Sequence, residues 1–151
     1  MPDEEPCAIT ETVPGGTAEV GLGENCARIT EGQDLTMTCG PQGLFMFVVN
    51  VRVHDMDVNA TDHLGGVGFV ATGQDGTKLS LAVNGCRSRM FVPSDDGMIM
   101  IGSYGVATDL NLLNQIDGAR VTIAVDIRDH VGHHAVDSRI VTAHVPTACA
   151  N

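Results

Sequence analysis

From Arg120 to Arg128 apolar side chains at Val121, Ile123, Val125 and Ile127 alternate with Arg120, Thr122, Asp126 and Arg128. A period of two puts every apolar group on one side of an extended chain, so this segment is a half-buried strand and not a helix. Asp129 to His133 then reads as a turn around Gly132, and the chain returns with Val141, Ala143 and Val145 facing inward, which makes a hairpin. The parity of Val136 does not match that of Val141, and the mismatch predicts a bulge between them.

A second alternating run, Leu44 to Val53, carries Phe45, Phe47, Val49, Val51 and Val53 on one face. Its other face starts with Leu44, Met46 and Val48 and ends with Asn50, Arg52 and His54, as expected of a central strand covered on both sides at one end and wet at the other. Shorter β-type runs are expected near residues 18–22, 27–30, 35–39, 67–72, 78–83, 87–92 and 98–101, with turn residues between them. That spacing is typical of a sandwich or barrel. Residues 108–116 are the exception. Thr108 can cap, Asp109 suits a first turn, and Leu110, Leu113 and Leu112, Ile116 fall at helical spacing. The expected fold is therefore all-β, an antiparallel sandwich with one short crossover helix. Residues 1–16 read as an acidic flexible tail, 17–147 as the domain and 148–151 as a short C-terminal tail.

Charge narrows the partners. Nineteen acidic against eight basic residues give a net charge of -11, which repels nucleic acid and anionic lipid. The longest apolar run is about ten residues, whereas a membrane helix needs roughly twenty, so no transmembrane segment is expected. The partner left open is a protein or a small ligand.

The opening residues carry neither a basic nor an apolar leader region. Cys7, Cys26, Cys39, Cys86 and Cys149 are scattered without a C-x-x-C pair, which suits disulfides better than a zinc ribbon. We therefore expect an exported protein, periplasmic, lipid-anchored or extracellular, with Met1 an introduced start. Strand parity disfavours a Cys26–Cys39 bond and allows Cys39 to meet Cys86 across the core. Cys7 and Cys149 sit near the two chain ends, where a bridge would anchor both. Buried free thiols remain the alternative for each cysteine.

The run Gly118-Ala119-Arg120-Val121-Thr122-Ile123-Ala124-Val125-Asp126-Ile127-Arg128-Asp129, with the Gly-containing turn and strand after it, resembles the closing hairpin of exported bacterial immunoglobulin-like domains. The resemblance covers residues 106–146 and implies an immunoglobulin-like sandwich at the cell envelope. Cys39-Gly40-Pro41-Gln42-Gly43 followed by an apolar strand is similar to uncharacterised bacterial lipoproteins, although Leu44-Phe45-Met46 departs from their Gly- and His-containing pattern. Neither resemblance implies an activity.

Two polar clusters could carry chemistry. Asp129-His130-Val131-Gly132-His133-His134, with Asp137 and His144 beyond, offers imidazoles from a hairpin turn to copper or zinc. His130, His133, His134 and Asp137 are the candidate ligands. His133 and His134 are adjacent and would face opposite ways in a strand, so His130 with one of them is the realistic pair. An exposed polar turn explains the same residues. Asp55-Met56-Asp57-Val58-Asn59 with Asp62 and His63 places acidic oxygens at alternate positions, but Ala60 and Gly66 stand where an EF-hand needs glycine and a carboxylate. A non-EF calcium or zinc site, or a solvated acidic connection, remains open there. Met98 and Met100 fit a strand of the core as well as they fit copper ligation. No nucleophile elbow, P-loop, dinucleotide fingerprint or H-E-x-x-H is present, so catalysis has no support in the sequence.

Overall fold

The computed structural model describes residues 6–40, 43–59, 62–81 and 85–147. Two sheets pack face to face, as a sandwich requires. The first is built around the long central strand β5 (Phe45–His54). β1 (Thr17–Leu22) and β4 (Thr38–Cys39) pair on one side of it, and β9 (Met98–Met100) and β10 (Tyr104–Ala107) on the other. β2 (Ala27–Arg28) extends the sheet beyond β1, and β8 (Phe91–Pro93) beyond β9. The second sheet runs β3 (Gln33–Thr36), β12 (His134–His144), β11 (Arg120–Arg128), β6 (Gly65–Gly73), β7 (Arg87–Arg89).

The antiparallel all-β expectation holds, with one exception: β3 runs parallel to β12, because β3 is followed by β4 in the opposite sheet and does not return by a hairpin. The short helix is present as a 3-10 turn, Leu110–Leu112, leading into α1, Leu113–Ile116, and it crosses from β10 in one sheet to β11 in the other. Its cap is Asp109, whose side chain accepts from Asn111 N, and not Thr108. The Thr108 hydroxyl instead donates to the Phe45 carbonyl, which keeps this fully buried group satisfied.

Alternation explains the core. Val121, Ile123, Val125 and Ile127 of β11 face Val20 of β1 and Phe47, Val49, Val51 and Val53 of β5, all of them buried. Each such side chain contributes roughly 1.5–3 kcal/mol by leaving water. The expected bulge in β12 is absent. Register runs unbroken from Arg120↔Thr142 to Arg128↔His134, and parity is kept by leaving Val136 in solvent, 66% exposed. The polar end of β5 is wet only at His54, whose side chain is 42% exposed. Asn50 and Arg52 are buried because loops fold over them and supply carbonyls. Asn50 Nδ2 donates to Gly102 O at 2.9 Å and Met100 O at 3.2 Å, and Arg52 reaches Cys26 O at 3.0 Å.

The cysteine pairing differs from expectation. Cys7 bonds Cys86, with Cα atoms 5.8 Å apart, so neither Cys39–Cys86 nor Cys7–Cys149 forms. The cause lies in β6, where Gly66 has no side chain and both sulfurs pack over its backbone. Cys39 is also disulfide-bonded, Cys26 is a buried free thiol, and Cys149 lies outside the described residues. Residues 6–16, expected as part of a loose tail, are fastened at three points. The disulfide holds one end, Arg128 reaches Ile9 O, and Val13 N donates to Gly132 O at 2.9 Å.

Candidate metal centre

β6 lies antiparallel to β11 with Gly66 opposite Arg128. The residues just before β6 and those just after β11 are therefore neighbours, and the two polar clusters of the sequence meet at this end of the sandwich. In the first loop Val58 is buried and Met56 packs on the core, which turns Asp57 outward. Asn59 closes the loop: its Oδ1 accepts from Asp62 N and His63 N, and its own N–H donates to His63 O. This holds His63 beside Asp57.

In the hairpin turn Asp129 Oδ1 accepts from the N–H groups of Val131, Gly132 and His133 at 2.9–3.0 Å. Gly132 sits at φ +110°, and an added Cβ would stand 2.9 Å from Glu11 O, so both backbone angle and space favour glycine. The folded turn carries His130 toward Asp57.

Asp57, His63 and His130 each offer one ligand atom, and these atoms lie within 4.8 Å of one another. His63 Nδ1 is 2.6 Å from Asp57 Oδ1, His130 Nε2 is 2.7 Å from Asp57 Oδ2, and the two rings stand 4.1 Å apart between centroids. Partial desolvation raises the Asp57 carboxyl, but the hydrogen bonds and charge of His63 and His130 outweigh it and hold it below the usual carboxylate range. The side chains are 43% exposed at Asp57, 31% at His63 and 15% at His130, so the cluster opens to solvent.

Two imidazoles and a carboxylate are a donor set for zinc or copper(II). In a tetrahedral zinc site, ligand atoms about 2.0–2.1 Å from the ion stand roughly 3.3 Å from one another. The two His–Asp hydrogen bonds run to different oxygens of Asp57; an ion would replace them, and the imidazole nitrogen beside the ligating oxygen would move away from it by roughly 0.6 Å.

The other expected ligands are engaged elsewhere. His133 Nδ1 pairs with Asp129 at 2.6 Å, His134 Nε2 with Asp126 at 2.9 Å, and His144 Nε2 with Asp34 at 2.8 Å. Asp137 accepts from Val20 N at 2.8 Å and from Arg139, fastening one sheet to the other. Of the four residues expected to converge, the described structure brings only His130 into a three-ligand cluster, and its companions come from the acidic loop. Asp55 and Asp62 do not join them.

A groove of about 850 Å³ lies elsewhere, over the outer face of β6, β11 and β12, among Val70, Leu81, Ala124 and Val136. Its described lining contains no histidine. No helix among the described residues is long and apolar enough to cross a membrane. In comparisons with family models, curated proteins and solved structures, the chain matches none.

Proposed function

We propose that this chain is an exported, non-catalytic β-sandwich module that binds a divalent transition-metal ion, zinc or copper(II), through Asp57, His63 and His130. The observation that carries the reading is the meeting of three ligand atoms within 4.8 Å from two loops distant in sequence. Export is supported by the Cys7–Cys86 disulfide and the bonded Cys39, since such bonds persist in oxidising compartments. The envelope setting rests on the resemblance of the closing hairpin to exported bacterial domains. Three protein ligands leave a coordination position toward solvent, where water or a partner's donor would complete the shell.

Equilibrium titration with zinc in competition with a chromophoric chelator tests this. One ion per chain is expected, with binding lost in His63→Ala and His130→Ala and kept in His134→Ala and His144→Ala. Loss in the second pair and retention in the first would place the ion away from Asp57 and His63 and overturn the assignment.

A further inference from the structure

We infer that Asp129 is the positioning residue of the metal centre, latching the loop that carries Asp57 to the turn that carries His130. The inference rests on the metal-binding reading above. Asp129 is fully buried and is not one of the three clustered ligands. A buried carboxylate is costly unless each oxygen is satisfied, and here five donors converge on it.

The two oxygens have separate tasks. Oδ1 takes the three backbone N–H groups that shape the turn. An asparagine or serine can do the same, as in ordinary side-chain-capped turns. Oδ2 takes Asp57 N at 2.8 Å and pairs with His133 Nδ1 at 2.6 Å. That second position must accept twice, which the amide nitrogen of asparagine cannot do.

The geometry makes Oδ2 the link between ligands. Asp57 is held through its own backbone N–H, and His130 is the residue next to Asp129 in the chain. The separation of Asp57 and His130 is thus set through one buried oxygen. His63 is held independently, by Asn59. Loss of the latch therefore lets Asp57 move relative to His130 while the turn itself persists.

The test uses Asp129→Asn, which keeps Oδ1 and replaces Oδ2 by a donor, with zinc affinity and the visible spectrum of the Co²⁺-loaded protein as readouts. We expect a folded protein by circular dichroism, zinc binding 10- to 100-fold weaker, in the range typical of residues that orient ligands, and Co²⁺ bands changed in position or intensity. Should this variant fail to fold, Asp129→Ser keeps an acceptor for the turn and is too short to reach Asp57. His134→Ala removes a neighbouring His–Asp pair outside the centre and is expected to bind as the unaltered chain does. Affinity within about twofold and an unchanged Co²⁺ spectrum in a folded Asp129 variant would overturn the latch while leaving the metal site standing. Failure of both variants to fold would overturn it too, by making Asp129 a folding residue. If the unaltered chain binds neither Zn²⁺ nor Co²⁺, the metal reading itself falls, and the latch with it.

Discussion

His130 Nε2 lies 2.7 Å from Asp57 Oδ2 across 73 residues of chain. The contact joins the β5–β6 connection, which passes between the sheets, to the β11–β12 hairpin. An ion held there would cross-link the two. Because it binds the folded arrangement and has no equivalent in the unfolded chain, it stabilises by mass action. With zinc at 100 times its dissociation constant the gain is ~2.7 kcal/mol. For a chain of this length that raises the melting temperature by roughly 5–10 °C. Scanning calorimetry with and without zinc checks this, and the rise should vanish in His63→Ala.

Protons compete with the ion, since an imidazolium cannot ligate. Zinc affinity measured at pH 7 and at pH 5 should therefore fall at the lower pH, by tenfold or more. An affinity independent of pH over that range would argue against two histidine ligands.

Acid stability has its own signature. The carboxyls of Asp57 and Asp129 are both held below the ordinary value of 3.8. At Asp129 burial pushes upward, but the hydrogen bonds from Asp57 N, His133 and Gly132 outweigh it. A folded-state pKa below the unfolded one means that these groups stabilise the fold fully above the unfolded value. The contribution is lost as pH falls from about 5 through the depressed folded values. Denaturant melts at pH 7, 5 and 3.5 should show stability dropping toward acid, and the drop should be shallower in Asp129→Asn.

The sequence marked both halves of the candidate centre and could not join them. Alternation made β5, β11 and β12 legible, because each has one face against the core and period two survives any loop length. The turn Asp129–His133 and the loop 55–63 stood out as polar clusters by composition alone. Their meeting depends on the β6–β11 register, with Gly66 opposite Arg128, which no local pattern encodes. Sequence neighbours alone group His130, His133, His134 and Asp137 at the turn, and of these only His130 meets Asp57 and His63 in the described structure. Val136 is a similar case, since an apolar residue in solvent has the look of a break in parity. The Cys7–Cys86 pairing was hidden by Gly66, whose missing side chain makes room for the sulfurs.

Asn50 tests the buried polar network of β5. Its Oδ1 accepts from Met100 N at 3.0 Å while Nδ2 faces a group of carbonyls. Asn50→Ala should cost about 2–4 kcal/mol in urea melts, because Met100 loses partners inside the protein. Asn50→Asp should be worse, since it turns a carboxylate toward those carbonyls.

Burial raises the Cys26 thiol to about 11, so little thiolate exists near neutrality. Alkylation followed by mass spectrometry should label Cys26 only after denaturation, and Cys7 and Cys86 only after reduction. Labelling of Cys7 in unreduced, denatured protein would contradict the disulfide.

The central claim is that Asp57, His63 and His130 hold one metal ion. Its most direct test is the zinc stoichiometry of untagged protein after equilibrium dialysis, compared between the unaltered chain and the His63→Ala/His130→Ala double variant. One equivalent falling to none is the predicted result. Equal zinc in both, or none in either, would contradict it.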